Sequence, residues 1–212
     1  MSHIDTAHRL VAILRGLRPE ETQETVAMLL EEGFRAIEIP LNSPDPFRSI
    51  EIAVRVAQEH GQGDARIGAG TVLHPRDVER LKALGANLVV TPNTDTAVIQ
   101  AARNAAMHVY PGVFTPSEAH QAVAAGASGL KFFPASVLGA SGIKAIMTVL
   151  PTDTRCYAVG GVCPDDFATY GAAGLYGFGL GSDLYRPGME LQQIRTNARA
   201  AIKALAALVG AS

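Results

Sequence analysis

Residues 116–134, PSEAHQAVAAGASGLKFFP, contain one complete unit of the pattern that decides the fold of this chain. Pro116 stands where a helix can begin, because the first turn of a helix does not need the N–H that proline lacks. An amphipathic stretch follows as far as Ala125, and Gly126 suits the left-handed residue that ends a helix. The apolar run Gly129–Pro134 then predicts a short buried strand.

The same order of apolar run, turn residues and amphipathic stretch recurs along the whole chain. The predicted strands are Leu10–Leu14, Ala36–Leu41, Arg66–Val72, Leu88–Thr91, His108–Val113, Gly129–Pro134, Cys156–Val162 and Gly177–Leu180. The predicted helices are Pro19–Glu32, Asp45–His60, Pro75–Leu84, Asp95–Ala106, Pro116–Ala125, Gly142–Leu150, Pro164–Ala172 and Met189–Leu208. This cycle predicts an α/β fold, a single (β/α)8 TIM barrel that occupies residues 1–212 as one domain.

Composition and charge argue against several classes of protein. Of the 212 residues, 48% are hydrophobic and 18% are charged, and the net charge is −2. The absence of a basic run argues against a nucleic-acid partner or a membrane-surface anchor. Residues 1–5 lack the features of a signal peptide, and no apolar run reaches the ~18 residues of a membrane span, which predicts a cytoplasmic protein. Cys156 and Cys163 are predicted to be small core residues.

Lys131 interrupts the apolar run Gly129–Pro134, in which no acidic residue occurs. It could be a structural lysine that pairs with a carboxylate elsewhere or reaches out of a strand end. Inside a barrel, however, burial lowers the pKa of an amine and leaves part of it neutral and nucleophilic. We therefore predict that Lys131 is a catalytic nucleophile.

Glu38 lies between apolar residues in the predicted strand Ala36–Leu41. An acid is tolerated at the exposed edge of a sheet, but a closed barrel has no edge, so this side chain faces either the barrel interior or the helices. An interior carboxylate near a lysine forms an acid–base pair. Glu38 is therefore the second predicted catalytic residue.

Glycine clusters follow the last two predicted strands. Gly160-Gly161 comes after the seventh strand, and Gly179–Ser182 comes at the end of the eighth. One such pair usually marks only a turn, but many barrels bind phosphate at these two loops through backbone N–H groups. The two clusters together predict a phosphate site, to which the hydroxyl of Ser182 can contribute.

Other polar residues stand at strand ends, where the active site of a barrel forms. They are Arg15 after the first strand, Thr71 after the third and Thr91 after the fourth. Each is a weak signal, and Arg15 could equally be an ordinary surface arginine. No histidine, cysteine or acid set has metal-ligand spacing, and no nucleophile elbow is present. These residues indicate an enzyme without metal or cofactor that acts on a phosphorylated carbonyl compound.

Six motifs in order resemble the 2-keto-3-deoxy-6-phosphogluconate and phosphogalactonate aldolases. They are Val11–Gly16, Glu38–Leu41, Gly68–Val72, Val90–Pro92, Lys131–Pro134 and Val159–Val162, within a similarity from about Arg9 to Arg186. The resemblance implies that Lys131 forms the Schiff base, that Glu38 is the general acid–base, and that the chain forms a homotrimer. The substrate contacts that it implies are Thr71, Thr91, Pro92 and Phe133 at the pyruvate end, Gly160, Gly161, Gly181 and Ser182 at the phosphate, and Arg15 at an anionic group.

Two positions separate the branches of this family. Asn42 stands where the gluconate-type enzymes usually carry an arginine, and Val159 stands where they usually carry a threonine. The segment Gly181–Tyr185 also resembles the galactonate branch. The resemblance thus implies cleavage of the phosphorylated galactonate derivative in D-galactonate breakdown, with the gluconate epimer as the alternative substrate.

The sequence is also compatible with two alternative functions. A phosphosugar isomerase or epimerase would share the phosphate loops but would need a metal or a second acid at a strand end. A sugar-phosphate-binding module would bind phosphate without chemistry at Lys131. Neither accounts for Lys131 and Glu38 inside two apolar strands, so the aldolase is the preferred hypothesis.

Overall fold

The structure is a computed structural model that describes residues 7–210. Short strands alternate with helices from one end of this range to the other. The strands are β1 (Leu10–Ile13), β2 (Ala36–Pro40), β3 (Arg66–Gly70), β4 (Leu88–Val90), β5 (His108–Tyr110), β6 (Gly112–Val113), β7 (Leu130–Phe132), β8 (Cys156–Val159) and β9 (Gly177–Leu180). The helices are α1 (Pro19–Glu31), α2 (Pro46–Glu59), α3 (Pro75–Ala83), α4 (Thr96–Asn104), α5 (Pro116–Ala124), α6 (Ala135–Met147), α7 (Phe167–Ala172) and α8 (Leu191–Gly210).

The sheet closes into a barrel through its fifth strand, which consists of β5 and β6. All neighbouring strands pair in parallel, in the order β5-β4-β3-β2-β1-β9-β8-β7-β6. Only Pro111, which has no N–H to donate to a ladder, separates the two end segments. The two ends of the sheet are therefore one continuous stretch of chain, and the predicted TIM-type α/β barrel is confirmed. The predicted span of 1–212 and the absence of a signal peptide in residues 1–5 include residues outside the described range and stay predictions.

Local sequence chemistry explains most element boundaries. Pro19, Pro75 and Pro116 occupy the first turn of their helices, as predicted. Thr115 caps α5: its hydroxyl accepts the backbone N–H of Glu118, and its own N–H donates to the Glu118 carboxylate at 2.8 Å. This reciprocal pair satisfies backbone donors that the first turn leaves free.

Two predictions about the last third of the chain were wrong. The helix predicted at Gly142–Leu150 begins at Ala135, directly after Pro134, and it contains Gly139 in a non-helical conformation with φ +66°. Two glycines in this segment concealed the first turns of a helix that is interrupted rather than absent. Cys163 is also not a core residue, because it is partly exposed and its thiol contacts Asp166 at 3.3 Å.

The barrel has a core on each side of its wall. The larger core lies between the strands and the helices. The smaller core fills the barrel interior and consists of Val11, Ala36, Leu88, Val90, Tyr110, Tyr157 and Val159. Because side chains alternate along a strand, inward positions near the carboxyl ends of the strands remain to line an open mouth. Within residues 7–210, no helix combines the length and apolarity needed to cross a membrane.

Candidate active site

Lys131 projects from β7 into the barrel. Its neighbours in register are Gly112 on β6 and Tyr157 on β8. The side chain is only 8% exposed, and Nζ lies 4.6 Å from the centroid of the Phe133 ring. Phe133 follows two residues later on the same inward face, so one strand supplies both the amine and the aromatic wall beside it.

Glu38 projects into the same interior from β2. It lies opposite Ile13 and Gly68 in the sheet and is 1% exposed. Gly70 packs directly against the carboxylate, because a Cβ atom at this position would stand 2.0 Å from Oε2 of Glu38. Oε2 has no hydrogen-bonding partner among the described residues. The carboxylate is therefore buried with one oxygen available for a substrate or a solvent molecule.

The surroundings shift the pKa of both groups. Burial raises the pKa of Glu38 to about 7, against the opposing effects of Lys131, Arg15 and a hydrogen bond from the backbone of Gly70. Burial lowers the pKa of Lys131; Glu38 opposes that shift and Arg15 adds to it. A carboxyl that titrates near pH 7 can both accept and donate a proton, and a destabilised ammonium supplies a neutral amine.

A cavity of about 210 Å³ opens above these two groups at the carboxyl ends of the strands. Its lining comprises Ile13, Arg15, Glu38, Thr71, Pro92, Lys131, Phe133, Val159, Gly160, Gly161, Val162, Gly179, Gly181, Ser182 and Asp183. The lining contains every predicted site residue except Thr91. The structure thus gathers residues from seven strands, or from the loops that follow them, around one space.

Thr91 lies behind the cavity wall. It is fully buried, and its hydroxyl donates to the carbonyl oxygen of Asn93 and accepts the N–H of Gly112 at 3.4 Å. These bonds fix the loop that follows β4, which presents the neighbouring Pro92 to the cavity. The geometry therefore gives Thr91 a supporting position rather than a lining one.

The two glycine loops form the side of the cavity near β8 and β9. Gly160 and Gly161 have φ values of +91° and +69°, which other residues rarely adopt. A Cβ atom on Gly160 would also come within 3.0 Å of the Phe133 ring, and one on Gly161 would come within 2.5 Å of the Ser136 hydroxyl. Without side chains, the backbone N–H groups of this loop can approach an anion closely.

Arg15 is held at the rim by the loop after β2. Its Nη1 donates to Oδ1 of Asn42 at 2.6 Å, and the adjacent Gly16 N–H donates to the Ser43 hydroxyl at 2.9 Å. These two bonds join the loops after β1 and β2. Asn42, which marks the branch in the sequence, therefore acts on the position of the Arg15 guanidinium.

Three lining residues were missed from the sequence: Ile13, Val162 and Asp183. Alternation along a strand identifies Ile13, because it lies two residues before Arg15. Val162 and Asp183 lie on loops, where no periodic signal exists.

The arrangement combines a buried amine, a carboxyl that titrates near neutrality and an anion-binding loop in one cavity. Such a set can form an imine with a carbonyl compound, move a proton beside it and hold a phosphate.

The model of the family described as KDPG and KHG aldolase matches residues 2–205. A probable 2-dehydro-3-deoxy-6-phosphogalactonate aldolase of Rhizobium meliloti (strain 1021) is 57% identical over 201 residues, which cover 95% of this chain and 93% of that protein. The 2-dehydro-3-deoxy-6-phosphogalactonate aldolase of Escherichia coli (strain K12) is 46% identical over 92% of this chain and 93% of that protein. A solved structure described as native KDPGal is 44% identical, with a TM-score of 0.91 over 97% of this chain and 98% of that one. The chain belongs to the KDPG and KHG aldolase family, as its six motifs predicted.

Proposed function

We propose that this chain is a class I aldolase that cleaves 2-dehydro-3-deoxy-6-phospho-D-galactonate to pyruvate and D-glyceraldehyde 3-phosphate. The observation that carries the proposal is the presence of Lys131 and Glu38, both more than nine-tenths buried, on the wall of one cavity with the glycine loops. The substrate is proposed from the similarity to relatives named for that activity.

The reaction begins at Lys131. Its neutral amine attacks the C2 ketone of the substrate, and loss of water gives an iminium. The positive iminium nitrogen accepts the electron pair of the C3–C4 bond when that bond breaks, which is why a Schiff base makes this cleavage possible. The lowered pKa of Lys131 supports this role, because it increases the fraction of neutral amine.

Glu38 moves the protons. Through a water molecule, its carboxylate takes the proton of the C4 hydroxyl while the C3–C4 bond breaks, which releases D-glyceraldehyde 3-phosphate and leaves an enamine on Lys131. The same carboxyl then returns a proton to C3. Hydrolysis of the resulting iminium frees pyruvate and restores the amine. The pKa of about 7 supports both directions of transfer near neutral pH.

The rest of the cavity orients the substrate. We assign the phosphate to Gly160, Gly161, Gly181 and Ser182, and the keto-acid end to Thr71, Pro92 and Phe133. Arg15 supplies a fixed positive charge for an anionic group. Binding energy from a phosphate far from the reacting bond is used to hold C2 near Nζ and C4 near Glu38.

Trapping with pyruvate and borohydride tests the Schiff base. Borohydride reduces the iminium to a stable secondary amine, so the adduct adds mass to one peptide. We expect the modification at Lys131 in the wild-type chain and in a Lys144→Ala control, and no modification in Lys131→Ala. A sugar-phosphate-binding module, or an isomerase without imine chemistry, would leave Lys131 unmodified.

The choice between C4 epimers rests on Val159, which lines the cavity, and on Asn42, which bonds to Arg15. We propose the galactonate epimer as the preferred substrate, in D-galactonate breakdown in the cytoplasm. Initial rates of pyruvate release from the two purified epimers test this choice. A higher kcat/KM for the gluconate epimer would reassign the chain to the other branch.

We also propose that the chain forms a homotrimer, as the family resemblance implies. Three large apolar side chains, Leu73, Phe114 and Val137, are 43%, 38% and 71% exposed, and they follow β3, β6 and β7 at the carboxyl ends of the strands. Exposed apolar groups on one rim are suited to a subunit interface. Sedimentation should give three times the chain mass for the wild type and a smaller species for Phe114→Glu. A wild-type monomer would contradict the trimer.

A further inference from the structure

The amino-terminal end of the barrel, opposite the cavity, contains a cluster of cationic and aromatic side chains. Arg9 and Arg155 immediately precede β1 and β8, and Arg66 begins β3. The guanidinium carbons of Arg9 and Arg155 lie 5.3 and 5.0 Å from the centroid of the Tyr176 ring. We call these four residues, together with Tyr110 and Tyr157, the barrel floor.

Arg66 connects this surface with the barrel interior. It is only 9% exposed, and its Nη1 donates to the hydroxyl of Tyr110. The Tyr110 ring lies 4.9 Å from that of Tyr157, which lies 5.4 Å from that of Tyr176. No other hydrogen bond joins the Arg66 guanidinium to a residue in the described range. Within residues 7–210, a planar group with five N–H donors is therefore buried with one acceptor.

No carboxylate in residues 7–210 forms an ion pair with Arg9, Arg66 or Arg155. The acids on the adjoining loops, Asp64 and Asp153, form no ion pair with these guanidinium groups within 4 Å. Arg66 is buried and Arg9 is half-buried, whereas Arg155 is exposed. A buried charge without a counter-ion is unfavourable, and an anion relieves it.

The pKa of His108, at the start of β5, indicates the sign of the electrostatic potential at this end of the barrel. Its pKa is lowered to about 4, first by burial and then by charge interactions with Arg66, His8, Arg155 and Arg103. Three of these four neighbours are arginines, which stay protonated. The amino-terminal mouth is therefore a region of positive potential, although the whole chain carries a net charge of −2.

We propose that the barrel floor is a second anion site that binds a small phosphate compound carrying two or more negative charges. Arg9, Arg66 and Arg155 would hold it, because guanidinium groups match the oxygens of a phosphate in pairs of parallel hydrogen bonds. The site is separate from the phosphate loops of the cavity, which lie at the other end of the same strands. It does not depend on the proposed aldolase activity.

Tyrosine fluorescence can detect this binding selectively. The chain has no tryptophan and five tyrosines, of which Tyr110, Tyr157 and Tyr176 belong to the barrel floor and none lines the catalytic cavity. Inorganic pyrophosphate is the probe, titrated at constant ionic strength so that screening does not change. We expect a saturable change in wild type and at least tenfold weaker binding in the double variant Arg9→Gln/Arg155→Gln.

Matched variants separate this site from general charge effects. Arg55→Gln removes the same charge from the exposed face of α2 and should bind pyrophosphate as wild type does. Circular dichroism and the melting temperature without anion should show that the double variant is folded, and its rate of aldol cleavage should be unchanged.

Two results would overturn the proposal. One is an equal affinity for pyrophosphate in the wild type and the double variant. The other is binding that appears only when Asp5, an acid outside the described residues, is replaced by asparagine, which would mean that the chain itself occupies the site.

Discussion

Charged side chains are buried at both ends of the barrel interior, but their hydrogen-bonding surroundings differ. At the carboxyl end, Oε2 of Glu38 has no partner among the described residues, and Lys131 lies beside the Phe133 ring under an open cavity. At the amino end, Arg66 donates to Tyr110, a tyrosine in contact with the next ring of the barrel floor. The first arrangement leaves groups whose protonation can change, whereas arginine stays charged and its hydrogen bond contributes to stability.

This contrast predicts that changes at the carboxyl end affect turnover more than stability, and that changes at the amino end do the reverse. Active sites commonly contain groups that are unfavourable for the folded state and useful for chemistry.

Lys131→Met should have the largest effect. Without the amine no iminium can form, so we expect the rate of pyruvate release to fall by at least about 10³-fold. The free energy of unfolding should stay equal or rise, because methionine buries no amine. Coupled assay of pyruvate and urea unfolding measure the two quantities, with Lys144→Met on α6 as the control. Substantial turnover in Lys131→Met would contradict the role of this residue.

Glu38→Gln should come next. Loss of the proton-transfer group should reduce kcat by about 10²- to 10⁴-fold while pyruvate still forms a borohydride-trapped adduct at Lys131. In wild type, kcat/KM should rise with pH through an apparent pKa near 7, as the Glu38 carboxyl loses its proton. This rise of kcat/KM with pH should be absent from the residual activity of Glu38→Gln. If the rise persisted in the variant, a different group would be responsible for it.

The same carboxyl should make stability depend on pH. Its pKa is about 7 in the folded chain against an ordinary value of 4.5, so the folded state binds more protons between these pH values. The unfavourable contribution of Glu38 therefore grows as pH rises from 4.5 to 7. Relative to wild type, Glu38→Gln should gain up to about 3 kcal/mol in unfolding free energy between pH 5 and pH 8.

Glu21→Gln is the matched control for that pH effect. The Arg18 side chain lowers the pKa of Glu21, so this carboxylate is ionised throughout the range from pH 5 to pH 8. The difference between this variant and wild type should stay nearly constant over the range. A parallel change in both variants would show that the effect does not come from burial at Glu38.

At the barrel floor, Tyr110→Phe removes only the hydroxyl that accepts from Arg66. The buried guanidinium then loses its partner, so we expect a loss of about 1–3 kcal/mol in unfolding free energy with kcat unchanged. Tyr170→Phe removes a hydroxyl that donates to the neutral carbonyl of Ala135 at 3.2 Å, and should have a smaller effect. A fall in kcat without a loss of stability would reverse the contrast between the two ends.

The fold could be predicted from the sequence because local and long-range requirements agree in most segments. Proline at helix starts, glycine after helices and short apolar runs gave boundaries within a few residues of those observed, as for α5 at Pro116–Ala124. The start of helix α6 was predicted wrongly because Gly139 and Gly142 resemble loop residues. Its first turns form by packing directly after Pro134, which only the folded barrel specifies.

The site was predictable to the extent that it lies on strands. Lys131 and Glu38 stood out because charged residues are rare in runs that face a barrel interior. Thr91 was predicted to contact substrate, yet its hydroxyl bonds back to its own loop, which no strand pattern reveals. The barrel floor was not predicted at all, because Arg9, Arg66 and Arg155 look like ordinary charges at strand starts.

Val159→Thr should have the smallest effect and should sharpen the comparison within the cavity itself. Val159 is 6% exposed on β8, and threonine has nearly the same shape but adds a hydroxyl. The C4 epimers direct their hydroxyl groups to opposite sides, so a new hydrogen-bonding group at one wall should favour one of them. We expect the ratio of kcat/KM values to shift toward the gluconate epimer by about three- to tenfold, close to 1 kcal/mol.

Val162→Thr is the control for this shift. Val162 lines the same cavity and is 2% exposed, and it lies on the other side of the Gly160-Gly161 pair from Val159. This substitution should change the rates with both epimers by a similar factor. If Val159→Thr left the epimer ratio unchanged, selection would have to come from the other rim, where Asn42 holds Arg15 at 2.6 Å. An equal shift in both threonine variants would instead indicate that any added hydroxyl alters the preference, and β8 would lose its special role.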